Sequence, residues 1–139
     1  MNEGLQMNYV ETQNCSKSKA AMTEQAVGFC IQEMMPRMKS LDITVEYSST
    51  RGDDQAACLA VTTREFEIEV SKKLKGDELL RVLCHEMVHV KQYARRELHL
   101  DNTSDYTTYA EYADQWFERE AFELEEILLK KLKLFQNNG

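Results

Sequence analysis

Residues 76–98 read GDELLRVLCHEMVHVKQYARREL, and this stretch predicts the central helix of the fold. Gly76 breaks the strand pattern that precedes it, and Asp77 is a typical N-cap residue. The helix is predicted to run from Glu78 to about Leu98, because apolar residues recur there at steps of three and four. Its apolar positions are Leu79, Leu80, Val82, Leu83, Met87, Val88 and Val90.

The same helix carries the pentapeptide His85-Glu86-Met87-Val88-His89, an H-E-x-x-H motif. Residues four apart lie on one face of a helix, so two imidazoles can reach one zinc ion. Glu86 follows the first histidine and is placed to act as a general base on a water molecule at the metal. The motif therefore predicts a catalytic metal site on this helix.

A catalytic zinc ion usually has three protein ligands, so a third ligand is needed. His99 lies about 15 Å beyond His89 along a continuing helix and is poorly directed. The metzincin motif is excluded, because Gln92 and Arg95 occupy the positions of its glycine and its third histidine. A carboxylate from the last helix remains, and the residues available are Glu111, Glu118, Glu120 and Glu123.

The segments on either side of the motif predict an α+β fold. Residues 20–39 have the helical period, with Pro36 near the end. Three runs alternate apolar and polar residues and predict a small, mainly antiparallel three-stranded sheet. The runs are Leu41 to Tyr47, Ala57 to Val61 and Phe66 to Val70, and the glutamates of the third run are predicted to face solvent.

The two ends of the chain complete the predicted organisation. Residues 1–18 are polar and lack periodicity, so we interpret them as a flexible N-terminal arm. Residues 19–139 are interpreted as one domain, because no linker or repeat divides them. The last helix is predicted from about Tyr109 to Phe135.

The composition of the chain indicates which binding partners and which cellular compartment to expect. The chain has 139 residues with 24 acidic and 17 basic side chains, and its net charge of −7 disfavours nucleic acid and anionic membranes. No apolar run approaches the length of a membrane span, and the N-terminus has no hydrophobic signal core. The four cysteines form no C-x-x-C pair, which indicates reduced thiols in a cytoplasm. A monomer with a polypeptide partner is expected.

Two stretches together resemble a known family. Residues 85–94, HEMVHVKQYA, and residues 116–125, WFEREAFELE, are similar to the SprT-like or minimal gluzincin metallopeptidase domains of phages and bacteria. The resemblance covers roughly residues 20–127. It implies a zincin-like fold with an N-terminal helix, a small sheet, an active-site helix and a C-terminal glutamate helix.

The resemblance also implies a ligand set. In gluzincin-like proteins the third zinc ligand is a glutamate followed three residues later by a small residue, and Glu118 with Ala121 fits this pattern. Some relatives carry tryptophan immediately before this glutamate, whereas Phe117 stands there in this chain and Trp116 is one residue earlier. Glu120 and Glu111 are the alternatives for the third ligand.

The implied activity is hydrolysis of peptide bonds by a zinc-activated water, with zinc on His85, His89 and Glu118 and with Glu86 as general base. If the chain is encoded by a phage, the expected compartment is the host cytoplasm. Tyrosines near the site are candidates for stabilising the oxyanion, and a second acceptor is expected behind a ligand imidazole. Tyr112 is favoured among Tyr93, Tyr106, Tyr109 and Tyr112, and Asp114 is the candidate acceptor.

Two other functions are left open by the sequence. One is a zinc-stabilised protein-binding module with negligible turnover. The other is DNA-dependent proteolysis, which the acidic charge and the missing zinc ribbon disfavour. The remaining glutamates of the last helix, Glu123, Glu125 and Glu126, are predicted to be solvated or to pair with Lys130, Lys131 and Lys133.

Overall fold

The computed structural model describes residues 7–49, 56–99 and 115–138. These residues form an α+β fold, as the sequence predicts. Four strands and three helices lie in the described ranges. They are β1 (Tyr9–Gln13), α1 (Lys17–Met34), β2 (Asp42–Ser48), β3 (Ala56–Ala60), β4 (Glu65–Ser71), α2 (Gly76–Ala94) and α3 (Trp116–Asn138).

The sheet differs from the predicted three-stranded, mainly antiparallel sheet. Its strand order is β1-β2-β4-β3, with β1 parallel to β2, β2 parallel to β4, and only β3 antiparallel to its neighbour β4. Alternation identified β2, β3 and β4 as strands. It could not identify their partners, because the same period of two suits either pairing direction.

The prediction of a flexible arm over residues 1–18 is wrong for β1 and for the start of α1. The backbone N–H of Tyr9 donates to the carbonyl of Leu41 at 2.7 Å, and the side chain of Asn8 accepts from the N–H of Leu41 at 2.9 Å. The strand is held mainly by its backbone, and Val10 is a partly buried side chain packed against the core. Because no side chain of β1 is fully buried, its sequence lacks the alternation of apolar and polar residues that identifies a strand.

One face of the sheet carries the core. Alternate residues of the two central strands are buried, whereas Glu65 and Glu67 on β4 are exposed, as predicted. The helices cover the buried face, which is why the strands alternate so regularly. The buried residues of β2 and β4 are Ile43, Val45, Tyr47, Phe66, Ile68, Val70 and Ser71.

Helix α1 begins after Ser16, whose hydroxyl accepts from the N–H of Lys19 at 3.2 Å. It ends at Met34, because Pro36 disfavours helical geometry in the residue that precedes it. The buried stripe of this helix packs against β1 and α2. Its buried residues are Thr23, Ala26, Val27, Cys30 and Ile31.

Helix α2 differs from its prediction at both ends. Its first residue, Gly76, has a φ of 62°, a left-handed conformation that favours glycine. The predicted N-cap, Asp77, instead lies in the first turn and pairs with Lys133 at 2.7 Å. At the other end the N–H of Glu97 donates to the carbonyl of Gln92 at 2.8 Å, the Schellman arrangement, with Arg96 at a φ of 61°.

Helix α3 packs along α2. Residues 109–114, where the sequence predicts its start, lie outside the described residues. Ala121 is fully buried on α3, where a small side chain permits close approach of two helices. Among the helices of the described ranges, none is long and apolar enough to cross a membrane.

Candidate metal centre

Helices α2 and α3 bring three potential metal ligands together. His85 and His89 lie one turn apart on α2, and their ring centroids are 5.0 Å apart. Glu118 lies in the first turn of α3 and faces both rings. The packing of α3 along α2 therefore places a carboxylate opposite the H-E-x-x-H face.

The distances show how tightly the three side chains converge. Oε1 of Glu118 lies 2.9 Å from Nε2 of His85 and 3.3 Å from Nε2 of His89. One ligand atom from each of the three residues lies within 4.8 Å of the others. Among the described residues, this is the group of histidine, cysteine and carboxylate side chains that could hold a metal ion.

The far nitrogen of each imidazole has its own acceptor. Nδ1 of His85 lies 2.7 Å from Oε1 of Glu125, and Nδ1 of His89 lies 2.8 Å from Oε1 of Gln92. An ionised carboxylate or an amide oxygen can only accept, so each Nδ1 carries the proton. Without a metal, each Nε2 likewise donates to Oε1 of Glu118. Loss of the Nε2 proton would leave a neutral ring protonated on Nδ1, which is the tautomer that a metal ligand at the convergence point requires.

The electrostatics of the cluster favour a cation at the convergence point. Burial lowers the pKa of His85, but the hydrogen bond to Glu118 and the charge of Glu86 outweigh it and raise the pKa to about 9. The pKa of His89 is also raised, against the effect of burial, by Glu118 and Glu86. Burial raises the pKa of Glu118, but its hydrogen bonds with the two histidines lower that pKa well below its usual range. Without a metal, protons supply the positive charge.

Glu86 is a buried neighbour of the cluster and acts on it through its charge. That charge contributes to the raised pKa values of both histidines. Burial raises the pKa of the Cys58 thiol on β3, and the charge of Glu86 raises it further. Helix α2, which carries Glu86, also contacts β3.

The alternatives for the third ligand that lie in the described ranges are not part of the cluster. Glu120 accepts from Nε2 of Gln92 at 2.9 Å and pairs with Lys91 at 3.1 Å. Glu123 is exposed on α3, and His99 is exposed beyond the end of α2. Glu111 lies outside the described residues.

Of the predicted accessory residues, Tyr93 lies in the described ranges. Tyr93 is buried and its ring packs 6.5 Å from that of Phe66, measured between centroids, so the described contact is with the core. The other accessory residues, Tyr106, Tyr109, Tyr112 and Asp114, lie outside the described residues.

Two residues of the site were missed by the sequence analysis. Glu125 was predicted to be solvated or paired with a lysine, but it is buried against His85. The spacing could have indicated it, because Glu125 follows Glu118 by seven residues and therefore lies on the same helix face. Gln92 was considered only as a departure from another motif. Glu126 is exposed, as predicted, but its partner is Arg81, at 2.7 Å, rather than a lysine.

Two imidazoles and one carboxylate, each imidazole with an outer acceptor, form a donor set that suits zinc and related divalent metals. Comparisons with protein-family models, curated proteins and solved structures found no significant match to this chain. The site's geometry is therefore the basis on which a function can be argued.

Proposed function

We propose that the protein is a zinc-dependent metallopeptidase of the gluzincin-like type. The proposal depends on one observation, which is that Nε2 of His85 and Nε2 of His89 both lie against Oε1 of Glu118. An H-E-x-x-H helix with its third ligand on a following helix is the arrangement that such hydrolases use.

The described donor set supports zinc as the metal. Imidazole and carboxylate ligands suit zinc, and three protein ligands leave a coordination position for water or substrate. A zinc ion held by these residues supplies a Lewis acid, which polarises a carbonyl group and brings the pKa of water close to neutrality.

In this proposal Glu86 acts as the general base. Its carboxylate is buried beside both histidines, and its charge acts on each of them. It accepts the proton of the attacking water and later delivers it to the departing amine. Tyr112 remains the proposed donor to the oxyanion, on the strength of the sequence alone.

The edge strand β3 supports the proposal that the substrate is a polypeptide. Within the described residues β3 pairs only with β4, and it is the antiparallel strand that contacts α2. An extended peptide can add to such an edge through backbone hydrogen bonds and so pass the metal centre. Leu59, an exposed residue of β3, offers such a peptide an apolar contact. We retain the proposal that nucleic acid is not the substrate, because the net charge is −7.

The test compares bound metal and cleavage in three purified proteins. Wild type, Glu86→Gln and Glu123→Gln are analysed for zinc by mass spectrometry and incubated with an unfolded protein such as reduced, alkylated casein. We expect all three to bind zinc. Cleavage by Glu86→Gln should fall by at least about a hundredfold, because the proton acceptor is lost. Glu123→Gln removes an exposed carboxylate of α3 and should cleave as wild type does.

Two results would contradict the proposal. Equal cleavage by wild type and Glu86→Gln would show that the observed activity does not come from this site. Stoichiometric zinc without chelator-sensitive cleavage would instead favour the zinc-stabilised binding module.

A further inference from the structure

Glu125 connects the metal centre to a charged residue at the surface. Its Oε1 lies 2.7 Å from Nδ1 of His85, and its Oε2 lies 3.8 Å from Nε of Arg81. Arg81 in turn donates to Glu126 at 2.7 Å. The carboxylate of Glu125 thus has a separate partner for each of its two oxygens, one at the metal centre and one toward solvent.

The helical spacing explains why these groups meet. Arg81 precedes His85 by four residues, so both side chains lie on the same face of α2. Glu125 follows Glu118 by seven residues, which places both carboxylates on the face of α3 that packs against α2. The same face of α3 therefore supplies both partners of His85, which are Glu118 at Nε2 and Glu125 at Nδ1.

Glu125 is enclosed although it is a carboxylate. Only 8% of its surface is exposed, and burying a charged group is costly unless it is paired. The imidazole of His85 and the guanidinium of Arg81 provide that pairing. The ring of Phe122, 4.9 Å from that of His85 between centroids, limits the space in which the imidazole can turn.

The two histidines are supported differently. His89 has the neutral amide of Gln92 behind it, and that amide is itself anchored by donating to the carbonyl of Phe117 at 2.9 Å. His85 has a carboxylate behind it. A carboxylate behind an imidazole raises the basicity of the opposite nitrogen and strengthens its bond to a metal.

We infer that Glu125, which forms an ion pair with Arg81, is a positioning residue of the proposed metal centre, because it fixes the orientation and tautomer of His85. The inference rests on the proposed metal site but requires no peptidase activity. Glu125 touches neither the substrate nor the reacting atoms and acts only through the imidazole.

The test measures metal binding rather than turnover. Wild type, Glu125→Ala, Glu125→Gln and the matched controls Glu123→Ala and Glu123→Gln are titrated with zinc in competition with a chromophoric chelator. Cobalt(II) is bound in place of zinc to record its visible absorption spectrum. Urea unfolding of each metal-free protein establishes that the variant is folded.

For Glu125→Ala we expect zinc affinity to fall by about ten- to hundredfold, together with an altered cobalt spectrum. Glu125→Gln keeps an oxygen that accepts from Nδ1, so it should recover part of the affinity and most of the spectrum. Glu123→Ala and Glu123→Gln remove an exposed carboxylate of the same helix, and both variants should bind zinc within about twofold of wild type.

The outcomes separate this inference from the proposed function. If folded Glu125→Ala and Glu125→Gln both bind zinc as wild type does, with an unchanged cobalt spectrum, the inference is overturned. If wild type itself binds no zinc, the inference and the proposed function both fail. If the Glu125 variants behave as expected but wild type cleaves no peptide, the positioning role stands and the peptidase proposal fails.

Discussion

Oε1 of Gln92 lies 2.8 Å from Nδ1 of His89, three residues earlier on α2. The same amide donates through Nε2 to the carbonyl of Phe117 and to Glu120, each at 2.9 Å. Gln92 thus joins the candidate metal centre to the first turn of α3, and its side chain is fully buried. Only a group that both accepts and donates can make these contacts, which excludes an ionised carboxylate.

Replacing Gln92 by glutamate should therefore destabilise the metal-free protein. The new carboxylate would face the carbonyl of Phe117 and the carboxylate of Glu120 without a proton to donate. We expect a loss of about 1–3 kcal/mol or more in the free energy of unfolding, measured by urea denaturation. Gln32→Glu, an exposed position on α1, serves as the control and should change the stability little. Equal stability of wild type and Gln92→Glu would show that this network has no energetic role.

Zinc should stabilise the wild-type fold. A ligand that binds only the folded state adds about 2.7 kcal/mol at a concentration one hundred times its Kd. We expect Glu118→Ala to lose most of this gain, because the carboxylate shared by His85 and His89 is gone. Thermal unfolding with and without zinc measures the effect, and Glu123→Gln should behave as wild type does. A full zinc-dependent shift in Glu118→Ala would exclude Glu118 as a ligand.

The apparent affinity for zinc should rise with pH. Protonated imidazole cannot bind a metal, and the pKa of His85 in the metal-free protein is raised to about 9. Below that pH zinc must displace a proton, so the apparent affinity should rise with pH by about tenfold per unit for each proton released. The rise should level off as the pH passes the pKa of His85. Calorimetry in two buffers of different ionisation enthalpy counts the protons, and equal heats in both would contradict the prediction.

Strand β1 should respond differently to proline at two neighbouring positions. The N–H of Tyr9 points toward β2, where it donates to the carbonyl of Leu41. Successive N–H groups of a strand point to opposite sides, so the N–H of Glu11 also points toward β2, whereas that of Thr12 points away from β2. Glu11→Pro should cost about 1–3 kcal/mol of stability through a lost interstrand hydrogen bond, and Thr12→Pro distinctly less. Urea unfolding compares the two variants. Equal losses would argue against the pairing of β1 with β2.

Local patterns predicted the helices better than the sheet. The stripe of α2 and the alternation of β2 and β4 were visible because burial of one face imposes a period on the sequence. The end of α2 was misjudged by four residues, because its Schellman cap uses Arg96 and has no glycine to mark it. Strand β1 was missed because it contributes backbone bonds and few buried side chains.

The sequence by itself determined that His85 and His89 share one helix face and that Glu86 accompanies them, because the spacing of a helix is a local property. The tertiary structure decided which glutamate meets both imidazoles, since the axial position of α3 against α2 depends on how the two helices pack along their whole length. It also decided the acceptors behind the rings, Glu125 from the other helix and Gln92 from the next turn. Contacts between separate elements are set by packing geometry, which no pattern within a single element encodes.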